Sequence, residues 1–497
     1  MMKYLLASVM ALAFFMGCEQ SGGGTVYNPT NAGYVSFIEE PAHVYVERAD
    51  DGIADTDTFY VAVDGDDAAA GSIDAPWKTI QAGMDRISPG QKLYVRGGVY
   101  SEVVWIRKSG QPGLPLVLSA YPGEEAILDG IAIPPLPPDQ FWGMISATGQ
   151  EYIHIRGLKI RNAHMAGITV DNTDHVVIED VLTYNTLGSG ITSYWGDDIT
   201  VEHNEIILAC NLNMYQGSWY PRELACIQEC LTVAGADGFS IAYNHVHHNG
   251  YAIEFGGEGI DAKAGSCHGR VYKNTVHDLN KLGIYIDSYG YTNDIDVEAN
   301  DVSRCMQWGI CVAAEDDHIT ENIRVFNNIV YDNDRVGIGI ENWGRDATHQ
   351  MRNIHIFNNT IVCNSEEVHT PDPWGCGIHI DAPNAENVYI YNNLIAFNNN
   401  RQLDVLSFSN SRPTPRNLVI DNNLVYYNPE HDLFTNPGTN HINMNPLFSD
   451  ITARDGQLAS GSPALGAASR TRLSPGRDFY DNPRASSGPF DIGAVEQ

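Results

Sequence analysis

The 497-residue sequence predicts an all-β stacked solenoid. Three observations predict it. A glycine followed by alternating apolar residues recurs down the middle of the chain. An asparagine column runs in phase with it. No amphipathic helix pattern separates the repeats, and short β-rich runs at a period of a few tens of residues mark a quasi-one-dimensional stack.

The glycine-led rungs are GITVD from Gly167, GITSY from Gly190, GIDAK from Gly259, GIYID from Gly283, GICVA from Gly309, GIGIE from Gly337 and GIHID from Gly377. CLTVA from Cys230 supplies a further rung inside the widest interval. The second column comprises Asn204, Asn244, Asn274, Asn300, Asn328, Asn359, Asn393 and Asn423. Asparagine tolerates left-handed backbone, and its amide can bond to its neighbour one coil away. A purely structural ladder is therefore expected there, with no active-site role.

The N-terminus MMKYLLASVMALAFFMGCEQSGGG joins a basic start at Lys3 to a short apolar run ending at Gly17-Cys18. Such a run is too short to cross a bilayer and has the form of an export signal. Its end resembles a bacterial lipobox with Cys18 as the lipidated residue, although Phe15 stands where leucine is usual. Residues 1–18 are thus expected to be a lipoprotein signal peptide, and residues 19–58 a linker. The implied location is the bacterial cell envelope, with a lipid anchor as the one membrane attachment.

Sixty-two acidic against 29 basic residues, a net charge of -33, argue against nucleic acid, because phosphate binding needs a basic surplus. A neutral ligand, or an anionic one bridged by a cation, fits better. Eight cysteines follow Cys18. Export permits disulfides, so loops stapled through Cys210 with Cys226 or Cys230, and through Cys363 with Cys376, are expected. No cysteine–histidine spacing reads as a zinc signature.

On these rungs, the chain resembles the right-handed parallel β-helix proteins of the pectin-lyase fold. The opening FYVAVDGDDAAAGSIDAPWKTIQAGMDRISPGQKLYVRGGVYSE from Phe59 is similar to their N-terminal module, with Trp77 to Ile87 as a capping helix. The close NPLFSD...GSPALGA...DIGAVE is similar to their C-terminal ending. The resemblance implies one single-stranded β-helix domain over residues 59–497, with N-terminal capping coils at 59–130, a C-terminal cap at 440–497 and a monomeric state. It implies fold more strongly than reaction, because one scaffold carries many chemistries.

Alternate strand residues point to opposite faces. In GIDAK the rule buries Ile260 and Ala262 and turns Asp261 and Lys263 outward. In GIYID it turns Tyr285 and Asp287 outward. The fifth rung position gives an outward column of Asp171, Tyr194, Ala234, Lys263, Asp287, Ala313, Glu341 and Asp381, and Glu315 lies two residues beyond Ala313. Asp261, Asp287, Glu315 and Glu341 are expected to converge around the Lys263 ammonium on an exposed face. A cross-strand ion-pair ladder is the structural alternative, although exposed pairs stabilise little. Trp219, Tyr220 and Arg222 in a long insertion, with Tyr289, Tyr291, Trp343 and Trp374, are expected as aromatic and basic walls suited to sugar rings.

Three functions fit this face. The preferred one is a glycoside hydrolase with Asp287 kept ionised by Lys263 and Glu315 as the acid, Glu341 being the alternative acid. GIYID is also similar to the nucleophile strand of β-helical xylosidases. The second is a calcium-dependent lyase on a uronate polymer, which resembles pectate lyases. Lys263 is then the base, and Glu258, Asp261 and Asp287 are candidate Ca2+ ligands. The third is a non-catalytic glycan-binding surface protein.

Overall fold

The computed structural model describes residues 40–47, 52–134, 142–211, 229–249, 256–288, 290–315, 318–342, 350–365, 375–399, 401–405, 414–427 and 438–497. Within these residues, the coils stack their strands into three parallel sheets of 13, 11 and 12 strands, the coils between the two ends carrying one strand in each. The glycine-led rungs form the 11-stranded sheet in one continuous register. Ile260 pairs with Ile284, Ile284 with Ile310, Ile310 with Ile338 and Ile338 with Ile378. These residues and their counterparts in the other two sheets fill one apolar core along the axis.

Close approach explains the repeated glycine. A Cβ on Gly259 would lie 2.5 Å from the Gly283 carbonyl oxygen, and a Cβ on Gly283 would lie 2.5 Å from that of Gly309. Each glycine thus lets one coil settle on the next at a point where no side chain fits.

The asparagine column is a buried amide ladder. Asn300 Oδ1 accepts from the Asn274 backbone N–H at 2.9 Å and from Asn274 Nδ2 at 3.0 Å. Asn300 Nδ2 donates to Val271 O and to Asn328 Oδ1, both at 3.0 Å. The left-handed residue is not the ladder asparagine but the one before it: His203, Tyr243, Lys273, Ala299, Asn327, Asn358, Asn392 and Asn422 all have positive φ. The ladder residue itself keeps its amide inside, where backbone groups leaving the turn need partners. A second inner ladder, Asn333–Asn364–Asn398–Gln402, runs through the later coils.

The helix expected over 77–87 is shorter, Ile80–Arg86. Thr79 caps it, and the Glu102 carboxylate accepts the free Ile80 and Gln81 N–H groups at 2.9 and 3.0 Å. Trp77 precedes the helix and bridges to Val61 instead. Residues 40–47 lie against the early coils, with Tyr45 buried beside Gly157 and Glu40 paired to Lys159 and Arg161 at 2.7 Å. Near the C-terminus, Leu458, Phe490 and Ile492 pack on Val362, Leu394 and Leu424 of the 12-stranded sheet.

Among the described residues, neither the Cys210–Cys230 nor the Cys363–Cys376 staple is met. Cys230, Cys267, Cys305, Cys311 and Cys376 are free thiols. Cys363 and Cys376 belong to apolar clusters on different sheets, so no staple joins them. Cys210 lies in hydrogen-bond contact with the Cys230 thiol. Cys226 and Cys18 lie outside the described residues.

Candidate active site

The outward face of the 11-stranded sheet carries the candidate chemistry. Strand Ile260–Lys263 pairs with Leu231–Ala234 below and Ile284–Ile286 above. Because Ala262 pairs with Ile286, Asp287 lies one coil above Lys263, as the alternation predicts. Asp261 lies beneath Tyr285 in the neighbouring column, which continues through Cys311, Gly339 and His379.

The expected exposure is corrected. These side chains point away from the axial core, yet Asp261 is 1% exposed, Asp287 5% and Glu341 3%, while Lys263 is half-buried. The expected convergence is corrected as well, and the carboxylates divide among different partners. Lys263 Nζ pairs with Glu229 Oε1, and with Asp261 Oδ2 at 3.0 Å. Glu315 accepts a hydrogen bond from the Tyr285 hydroxyl, and its own N–H donates to Ser288 Oγ at 2.8 Å. Glu341 Oε1 is 2.6 Å from His379 Nδ1. Between the two ends lies an apolar patch of Tyr285, Trp308, Cys311 and Ala313. Ala313, at the coil between Asp287 and Glu341, interrupts the charge column.

Sequence reasoning missed Glu229 and His379. The register that pairs Leu231 with Ile260 also sets Glu229 beneath Glu258, and the Cys230 N–H donates to Glu258 O at 2.7 Å. Extending each rung one residue before its glycine would have found that pair. His379 occupies the third rung position, and reading only the fifth overlooked it.

Charge states follow from this crowding. Burial, then Glu315 and Asp261, raises Asp287 well above the ordinary carboxyl range, outweighing Lys263. The expectation that Lys263 keeps Asp287 ionised is thereby corrected, because the ammonium is taken by Glu229 and Asp261. Burial likewise raises Asp261, with Glu229 and Glu258 adding to it against Lys263. Burial and the neighbouring Glu229 push Glu258 up to about 7. Burial acts to lower Lys263, but Asp261, Glu229 and Asp287 outweigh it and hold the ammonium well above its usual range. Burial acts to lower His379 too, and Glu341 reverses the sign.

Two buried oxygens, Asp261 Oδ1 and Asp287 Oδ1, have no hydrogen-bond partner. Unpaired buried carboxylate oxygens are costly. Together with Glu229 and Glu258 they form an all-oxygen donor set facing one amine, which suits a hard divalent cation such as calcium. Three of these carboxylates do not lie within 4.8 Å of one another; the described groups that meet that spacing are elsewhere. A cation here would therefore draw further oxygens from substrate and water.

Trp219, Tyr220, Arg222, Tyr289, Trp343 and Trp374 lie outside the described residues. Tyr291 starts a strand of the 13-stranded sheet, exposed, with its hydroxyl donating to Glu321 Oε2 at 3.0 Å. It is not a wall of the carboxylate cluster.

Residues 59–262 match the model of a Pel9A-like right-handed β-helix region. With three parallel sheets wound around one core, this decides the fold. The chain is a right-handed parallel β-helix. Among curated proteins, pectate lyase PEL9 of Emericella nidulans is 46% identical over 83 residues, 16% of this chain and 20% of that protein. The uncharacterized protein YwoF of Bacillus subtilis strain 168 is 24% identical over 132 residues, 25% of this chain and 28% of that one. The β-helix thus matches 20% to 28% of the length of these curated relatives. The structure of XylC in complex with xylose aligns with a TM-score of 0.57, covering 88% of this chain and 98% of that one. At 12% identity this is a likeness of fold.

Proposed function

We propose that this β-helix is a cation-dependent polysaccharide lyase acting on a uronate-containing polymer, with Lys263 as the base. The observation that carries the reading is the Lys263 amine set against Glu229 and Asp261, beside the unpartnered buried oxygens of Asp261 and Asp287. Similarity to pectate lyase PEL9 supports the same class.

In this chemistry the neutral amine of Lys263 takes the proton on the carbon next to the uronate carboxylate. The electron pair left behind forms a carbon–carbon double bond, and the bond to the glycosidic oxygen breaks. That oxygen leaves with a proton from solvent. When bound, a calcium-class cation would supply positive charge that acidifies the abstracted proton and offsets the carboxylates around Lys263. Asp261 and Asp287 are the residues best placed to hold it. Without that offset Lys263 stays protonated and is a poor base.

The likeness to pectate lyase PEL9 supports elimination over hydrolysis. A hydrolase with Asp287 held toward its protonated form and Glu315 accepting from Tyr285 is the alternative that the test separates. The test is incubation of the purified protein with de-esterified uronate polymers and neutral glycans, with and without Ca2+ or EDTA. Lyase action yields ultraviolet-absorbing unsaturated ends that disappear with EDTA. Reducing ends without that absorbance would replace the reading by a hydrolase, and binding without either product by a glycan-binding protein. Export and lipid attachment at Cys18 belong to the same proposal, and incorporation of labelled fatty acid that is lost in Cys18→Ala tests them.

A further inference from the structure

A second chemistry-bearing cluster lies on the outward face of the 12-stranded sheet. Glu205 starts strand Glu205–Ile207, His245 and His247 bound strand His245–His247, and His277 lies in Thr275–Leu279. These three strands stack in successive coils, with Glu205 against His245 and His247 against His277. Val246 and Val276 point into the core, so alternation turns Glu205, His245, His247 and His277 to the same outer side.

The side chains converge. One nitrogen from each of His245, His247 and His277 lies within 4.8 Å of the others. His245 Nε2 is 2.7 Å from His277 Nε2. Glu205 Oε1 lies 3.5 Å from His245 Nδ1 and 3.4 Å from His247 Nε2. His277 Nδ1 is 2.6 Å from Asp278 Oδ2, a carboxylate that Arg304 also holds at 2.8 Å. His248 Nδ1 is 2.7 Å from His247 Nδ1.

We infer that His245, His247 and His277, with Glu205 at their edge, form a binding site for a divalent transition metal of the zinc class that ties three consecutive coils together. Imidazole nitrogens suit zinc, nickel and copper, and do not suit calcium. Zinc–nitrogen bonds of roughly 2.0–2.1 Å in a tetrahedron set ligand nitrogens about 3.4 Å apart, so small ring rotations from the present contacts are enough. The Asp278 carboxylate on His277 is the outer-shell partner that fixes a ligating imidazole. The cluster and the Lys263 site are on different sheets, so neither inference depends on the other.

The test is titration of the EDTA-stripped, dialysed full chain with Zn2+, and in parallel with Ca2+, followed by calorimetry and thermal melting. Expected are one zinc bound per chain, a melting temperature raised by Zn2+ with an increment that His277→Asn removes while leaving any Ca2+ increment unchanged, and zinc affinity reduced at least about tenfold in His277→Asn. His245 is the most exposed of the three, so His245→Ala spares the fold and should weaken zinc by a similar factor. Co2+ in place of zinc should give visible absorption that both substitutions remove. Zinc affinity unchanged in both variants, or no zinc-dependent change in the native chain, would overturn the site and leave a stacked imidazole ladder.

Discussion

Lys263 Nζ lies 3.0 Å from Asp261 Oδ2, while the other oxygen of the same carboxylate, Oδ1, is buried and without a hydrogen-bond partner. Two residues apart on one strand, they leave the site with a satisfied amine and an unsatisfied acid. On the proposed reading a bound cation answers that imbalance and sets the protonation of Lys263.

Replacing the proposed base is the first prediction. Lys263→Ala should lower the rate of unsaturated-product formation by at least roughly 10²-fold, the lower range for loss of a general base. The circular-dichroism spectrum should keep its β signature. Release of the same product at the native rate would remove Lys263 from the chemistry.

Reaction rate should rise with pH. Lys263 is held above its usual range by three carboxylates, so its neutral fraction grows only toward alkaline pH. Added Ca2+ should move the rising limb to lower pH by offsetting those charges. Initial rates across pH at two calcium concentrations measure it, and a limb that falls with pH would contradict the assignment.

Stability without a cation should move the other way. Glu258 has a folded-state pKa of about 7 against an ordinary 4.5, so the folded chain holds a proton that the unfolded chain releases. Folding is then favoured at low pH, and this contribution is lost as pH rises from 4.5 through 7. Glu258→Gln should flatten that part of the profile, as read from melting temperature against pH.

The amide ladder predicts a stability cost remote from any chemistry. Asn300→Ala removes the acceptor of Asn274 N–H and Asn274 Nδ2 and one donor to Asn328 Oδ1, all inside the core. At about 1–3 kcal/mol for each unsatisfied buried group, a loss of several kcal/mol is expected. Denaturant unfolding measures it. Asn417→Ala, on an exposed side-chain contact, should cost far less.

Gly283→Val should destabilise for a different reason. Its Cβ would stand 2.5 Å from the backbone oxygen of Gly309, which cannot swing aside as a flexible side chain would. Reduced soluble yield and an earlier unfolding midpoint are expected.

The primary structure determined the stacked architecture, the register of the glycine-led rungs and the sidedness of their residues, while the strands Val104–Ile106, Gly143–Thr148 and Arg401–Val405 of the same sheet carry no such glycine signature in phase and emerged only from the fold. Glycine, apolar alternation and asparagine recur in phase, and a two-residue period leaves each side chain only two directions. Lys263 below Asp287 was legible on that basis alone. Burial and partner choice were decided by the tertiary structure, because both depend on what neighbouring coils place around a group. Thus Lys263 turned to Glu229, Glu341 to His379 and Glu315 to Tyr285. The histidine cluster illustrates the same limit: His245 and His277 are 32 residues apart in the chain, and only the stacking of one coil on the next brings their nitrogens to 2.7 Å.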